Sequence, residues 1–473
     1  MDIDNEIISY DILGTQAHVV MLYEQNLLKI STLKKILKEL EILLQNPGKV
    51  SRHGYEDIHE ALETHLVKKL GIEIGGRVQT GRSRNDQVIL DVRMKARDEL
   101  NNICLKITSL IEAILLKAEQ NLDSLMPLYT HLQQAQIGNL SHYLLSYAEQ
   151  LFRDLERLYS AYTRINKSPL GSGPVGGSSI PIDRERTAQL LGFDGLVTNS
   201  IDATSSRDSI VELMSALSIL MTTLSRIAED LIIWSTQEFD YVELEDRYTS
   251  SSSAMPQKKN PDPLELLRSR ATIVVGNLIT SFAILKALPS GYSRDLQDLK
   301  LVFLNSLSIV SSCLSIADVV ISSLTIHKDR MRDAAVNSYA NSIDIAEQLV
   351  MRKGLVFRTA HKIVGSLVEL AVSKNNAPLS SLSVNEIEAV FKRTSVQLRA
   401  EELLEILTQV TPEKSVLLRS STGSSNPSEQ KKLIESSKIL AQEYSDDIRN
   451  RKMVLSRALD NLRSVVISYV NKK

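Results

Sequence analysis

Apolar residues recur at three- and four-residue spacing along almost the whole chain, the period of a helix with one buried face. Residues 5–45 read as helices on this pattern, and Asn46, Pro47 and Gly48 stop the second of them. A short acidic helix is predicted over about 55–70, containing Glu56-Asp57-Ile58-His59, and a glycine-rich basic loop follows from Gly71 to Asn85. Five long helical patterns then run over about 86–120, 132–166, 206–236, 263–288 and 298–326. Each exceeds the roughly 10–14 residues of an average helix. The last is apolar around most of its circumference, from Leu299, Val302 and Phe303 to Ile316 and Val320, so it must be covered on most sides. Long helices of this kind assemble into bundles, and the surplus apolar face predicts that other subunits complete this one rather than that the small flanking domains cover it. Beyond about 330 the pattern breaks into shorter helices up to Lys473. The expected architecture is all-α. It has an N-terminal helical domain over 1–85, a central long-helix bundle over 86–330 and a C-terminal helical domain over 331–473.

Composition supports this and narrows the setting. The 473 residues are 43% hydrophobic and only 5% aromatic, with a net charge of −2, so no basic field recruits nucleic acid or a membrane surface. The two cysteines, Cys104 and Cys313, lie inside apolar helical patterns, which suits a reducing compartment. The acidic N-terminus lacks a signal core, and no run of about 18 uninterrupted apolar residues suggests a membrane span. A soluble cytoplasmic protein is expected.

Polar segments carry the candidate chemistry. In Thr80-Gly81-Arg82-Ser83-Arg84-Asn85, the forked guanidinium groups of Arg82 and Arg84 suit carboxylates or phosphates, although the same stretch could simply cap a helix. Pro127–Gln136 holds His131, placed where a loop enters a helix; it could transfer protons near neutrality or be a hydrogen-bonded structural histidine. His59 is a possible supporting residue behind a site. Ser168–Pro181 is rich in glycine. Thr249–Asp262 sets four serines, Gln257, Lys258, Lys259 and Asn260 between two apolar helices, a composition that packing does not require. Lys258 is the natural counter-ion for a substrate carboxylate, and Ser252 or Ser253 could move a proton if their very high pKa were lowered. Asp262-Pro263-Leu264-Glu265 also reads as a helix start, with Asp262 at the cap, which alone could account for Glu265. No HExxH, CxxC or clustered His and carboxylate spacing marks a metal site, and no phosphate- or dinucleotide-binding fingerprint is present.

GRSRNDQV, THLQ-x-AQ and SS-x-MPQKKNPD together resemble the signature segments of argininosuccinate lyases, within the fumarase and aspartase superfamily. EDIH at 56–59, SPLGSG at 168–173, LPSGYSRDLQ at 288–297 and YANSIDIAEQLV at 339–350 extend the resemblance over nearly the whole chain. It implies reversible β-elimination of argininosuccinate to arginine and fumarate by acid–base catalysis, without a cofactor. It also implies a homotetramer with a twenty-helix core, in which each active site draws on three subunits.

Carried over by motif, Ser252 resembles the proton-abstracting base, Lys258 the cation that stabilises its alkoxide and the aci-carboxylate, and His131 the acid or its relay. Glu265 would orient His131. Asn85, Thr130 and Asn260 resemble ligands of the substrate carboxylates and polar groups, with Arg84 and Gln257 beside them. Tyr292, Gln297 and Lys300 resemble the residues that hold the arginine portion. Departures from the family pattern are Ser251 for a usual glycine, Gln79 for a histidine, Ile137 for a proline and Leu299 within an acidic pair. Aligned through Gly14, a substrate-contacting serine of the family falls one position before Met1, so weakened substrate binding is expected of the chain as given. Two other readings keep the fold: another fumarate-releasing lyase of the superfamily, and a crystallin-like homologue without activity. Intact His131, Ser252 and Lys258 argue against the second.

Overall fold

The computed structural model describes residues 3–50, 53–251, 253–394 and 398–472. Helix accounts for 71% of the chain, and sheet is confined to two-stranded ladders among the described residues, so the all-α expectation holds. Helices α1 (Ile8–Glu24), α2 (Ile30–Gln45) and α3 (Ile58–Leu70) form the N-terminal part. The five long helices follow as α4 (Arg84–Glu119), α5 (Leu140–Ile165), α6 (Asp208–Trp234), α7 (Asp262–Leu285) and α8 (Leu296–Ser323). Their aliphatic side chains share one core with α1–α3. Helices α6 and α8 have the length and mean hydropathy of membrane spans, but 67% and 50% of those windows are buried within the chain itself.

Two expectations fail. The segment expected to be a loop running into a helix at 132 is a β-hairpin, β1 (Leu125–Thr130) against β2 (Gln133–Asn139), and α5 begins only at Leu140. Asn139 sets that start: its side chain accepts the His142 N–H at 2.8 Å, an N-cap the amide suits well. The second failure is at the C-terminus, where a single 45-residue helix, α13 (Pro427–Asn471), replaces the expected short helices. Its buried apolar residues Ile434, Ala441, Ile448, Leu455 and Leu462 fall every seven positions, with Val466 one turn beyond the last, so only a narrow stripe is covered and the rest of the helix reads as polar.

The stripe packs along the bundle and joins its core, whereas residues 345–410, including α9 (Ser342–Lys353), α10 (Phe357–Ser373), α11 (Val384–Thr394) and α12 (Ala400–Gln409), have a core of their own. We therefore place the compact C-terminal body within the expected 331–473 domain and group α13 with the bundle. Ile448 is fully buried at the centre of α13, so Ile448→Ala should cost about 2–5 kcal/mol of stability by leaving a cavity. A chemical-denaturation curve checks this; an unchanged midpoint would mean that α13 does not support the bundle.

Candidate active site

The GRSRND loop is built around Gly81, whose φ of +74° turns the chain, and a Cβ there would meet Ile182 at 2.7 Å. The turn sends alternate arginines in opposite directions. Arg82 points inward, is buried, and donates to Thr15 Oγ1 at 3.0 Å. Arg84 points outward to Glu56 at 3.2 Å and Asp57 at 3.6 Å. Ser83 and Asp86 form a capping box that starts α4. The second Asp86 oxygen accepts the Gly173 N–H at 2.8 Å, and Asn85 Nδ2 donates to Pro174 O at 2.9 Å. The glycine-rich 168–181 segment is thereby folded against the GRSRND loop. Burial pushes the Asp86 carboxyl up to about 6, against the pull of these N–H groups and of Arg82.

Behind this loop, His59 lies buried between Asp11 (3.2 Å) and Asp91 (3.4 Å). Burial works to raise Asp11, but His59, Arg82 and Gln87 outweigh it and hold that carboxyl below its usual range. Burial and the Asp11 charge raise Asp91 well above its usual range. These three residues bring ligand-type atoms within 4.8 Å of one another, a His–carboxylate cluster hidden from spacing rules by its origin on three helices. The buried Arg82 guanidinium lies beside it, so the carboxylates have a countercharge without a metal ion.

The Gly291-Tyr292-Ser293-Arg294 turn faces Arg84 and Asn85 across a cleft of about 340 Å³, lined also by Glu56, Glu63 and Gln79. Burial raises the Tyr292 hydroxyl, while the nearby Arg207 guanidinium and a hydrogen bond with Gln297 act to lower it. The structure thus brings Arg84, Asn85 and Tyr292 together, with Gln297 bonded to Tyr292. Lys300 is not on the cleft wall: it is buried and paired with the Asp4 carboxylate.

The serine loop is a second hairpin, β3 (Ser250–Ser251) against β4 (Lys259–Asn260), with Asn260 Nδ2 donating to Ser250 Oγ at 3.4 Å. Its two lysines differ. Lys259 is tethered to Glu243 (2.6 Å) and Asp246 (2.5 Å), whereas Lys258 is exposed and pairs with no carboxylate among the described residues. Gln257 and Glu265 are exposed, and Ser252 lies outside the described residues. Asp262 does not cap α7: it is the first helical residue after Pro261, and no side chain caps the helix, so a capping box does not account for Glu265.

Thr130 and His131 stand at the tip of the β1–β2 hairpin. His131 and Leu132 both take positive φ, 55° and 57°. A two-residue turn of this kind favours Asn-Gly, and a non-glycine pair there is strained. Leu132 is also 72% exposed. Local turn chemistry does not explain His-Leu at this tip. Among the described residues, no hydrogen bond or ion pair joins His131 to Lys258 or Glu265 within the chain. Glu56 and Arg294 lie inside the EDIH and LPSGYSRDLQ segments and Gln79 is one of the departures, yet the motifs did not assign them or Glu63 to the cleft, because their convergence depends on tertiary packing.

Comparisons with known proteins agree over nearly the full length. The family described as Lyase matches residues 7–276, and that described as Argininosuccinate lyase C-terminal matches residues 339–416. The chain is 46% identical to the argininosuccinate lyase of Nitrosopumilus maritimus, covering 98% of this chain and 95% of the relative. It is 39% identical to that of Methanococcoides burtonii, over 93% of this chain and 88% of the relative. Among solved structures, an EDDS lyase variant with bound fumarate superposes with a TM-score of 0.90 at 30% identity, covering 99% of this chain and 93% of that one. A class II fumarase from Schistosoma mansoni shares the fold, with a TM-score of 0.72 at 15% identity, over 87% of this chain and 90% of that one.

Proposed function

The chain belongs to the argininosuccinate lyase family, and from that membership we propose that it cleaves argininosuccinate to arginine and fumarate with the residues described above. The chemistry is a β-elimination. A base takes the proton from the carbon beside a carboxylate, the guanidino nitrogen leaves, and it takes up a proton. The barrier lies in the negative charge that accumulates on that carboxylate, so donors and a cation must wait where it develops.

We assign proton abstraction to Ser252 and charge stabilisation to Lys258. Lys258 is the lysine of its loop that no carboxylate neutralises among the described residues, which supports the choice over Lys259. His131 supplies or relays the second proton, and Glu265 positions it. Asn85, Thr130, Asn260, Arg84 and Gln257 bind the substrate's carboxylates and polar groups, with Tyr292 and Gln297 toward the arginine portion. Lys300, buried on Asp4, would act from behind that wall.

We propose that several copies of the chain contribute these groups to each site, in a homotetramer working in the cytoplasm. The observation that carries this reading is the exposed His131-Leu132 tip, held in positive φ, with no hydrogen bond or ion pair from His131 to Lys258 or Glu265 among the described residues. A mixing experiment tests it. His131→Asn and Asn85→Ala proteins should each be nearly inactive, yet regain activity when dissociated together and reassembled, because some sites then receive both intact residues. No regain in hybrids of proven mixed composition would place both residues in the same chain's site.

A further inference from the structure

The cleft between the GRSRND loop and the Tyr292 turn is electroneutral by composition, with two carboxylates, Glu56 and Glu63, facing two guanidinium groups, Arg84 and Arg294. A dicarboxylate end would need excess positive charge, so this wall suits a zwitterion. Glu56 is its pivot. One oxygen pairs with Arg84 at 3.2 Å and the other with Arg294 at 3.1 Å, so a single carboxylate bridges two loops far apart in sequence. The Glu56 side chain is 36% exposed, and Arg294 is 69% exposed, the loosest of the three.

We infer that Glu56 is a specificity-determining residue that accepts the α-ammonium of the substrate's arginine portion, in exchange for its pair with Arg294. This deepens the functional reading above and rests on it. An incoming α-carboxylate takes the exposed Arg294 guanidinium. The Glu56 oxygen released by that exchange takes the α-ammonium. The number of ion pairs then rises from two to three, and neither Glu56 nor Arg294 is left without a partner. A ligand with the carboxylate but without the ammonium would separate Glu56 from Arg294 and offer nothing back. Discrimination therefore comes from an unpaired group left behind by the wrong ligand. Asp57 does not compete for the role: it is buried and caps α3 through Glu60 N–H at 2.8 Å.

The test uses the synthetic direction, with fumarate and either L-arginine or 5-guanidinopentanoate, its des-amino analogue. Wild-type enzyme should prefer L-arginine in kcat/KM by about 10- to 100-fold, the range expected for one charged hydrogen-bonded pair. Glu56→Gln should raise the KM for L-arginine by a similar factor and abolish the preference, leaving the KM for fumarate unchanged. Arg294→Gln should instead raise the KM for both guanidino compounds alike. Equal use of the two compounds by wild type would overturn the inference without any variant. So would a Glu56→Gln protein that weakens both compounds equally, since Glu56 would then only latch the loops. Absence of argininosuccinate cleavage by wild type is a separate result, and it would remove the functional reading itself.

Discussion

Replacing Ser252 by alanine should lower kcat for argininosuccinate cleavage by about 10²–10⁴-fold, the usual share of one acid–base group, with little change in KM. A serine hydroxyl is a very weak acid, so its use as a base requires a neighbouring cation and dry surroundings to hold the alkoxide. Lys258 fits that need, being uncompensated among the described residues, while Lys259 is held by two carboxylates. Ser253→Ala is the internal control and should retain near-normal turnover, since the motif assigns the role to its neighbour. His131→Asn should show a loss of similar size. The double variant Ser252→Ala, His131→Asn should be scarcely worse than either single one, because groups that act as a unit in one elimination are not additive, even when they move different protons. Fumarate absorbance follows all four proteins. Near-normal kcat in Ser252→Ala would remove the assignment of the base.

Most of the architecture was legible because long helices announce themselves by period. The pattern over about 86–120 corresponds to α4 at Arg84–Glu119, where Ser83 and Asp86 cap it as their types suggest. The failures have physical causes. In β2 the run Gln133-Gln134-Ala135-Gln136 lacks the β-branched residues that mark a strand, and its pairing with β1 is fixed by the partner strand rather than by its own composition. In α13 one apolar residue in seven is enough to hold a helix lying along a bundle, but not enough to stand out in a polar sequence. The site was legible as three motifs, not as a place. Glu56 meets Arg294 from 238 positions away, and His59 meets Asp11 and Asp91 from helices that no spacing rule connects. Lys300 shows the opposite gap: motif position placed it near substrate, yet its ammonium is buried on Asp4.

The second large effect concerns assembly. Helix α7 covers only one stripe within its own chain, formed by Leu264, Leu267, Ala271 and Val274. Leu266 (53% exposed) and Ile273 (47%) lie on one flank, and Ile279 (63%) and Phe282 (54%) lie roughly opposite them at about 100° per residue. A helix left apolar on two opposite flanks cannot be satisfied by one neighbour, and exposed Leu301 and Val319 on α8 extend the uncovered surface. Other copies of the chain would cover both flanks at once, as a shared helical core requires. The double substitution Ile279→Glu, Phe282→Glu removes little from the isolated chain, because both side chains already face outward. In the assembly it would bury charge without a partner, a penalty of several kcal/mol per group. Light scattering should therefore show the particle falling from four chains to a smaller species, with helical content preserved by circular dichroism. Activity should fall with it if, as proposed, the His131 tip serves the serine loop of a neighbouring copy. A dissociated variant that keeps full turnover would show that one chain contains a complete site, and the shared-site assignment of His131 would fail with it.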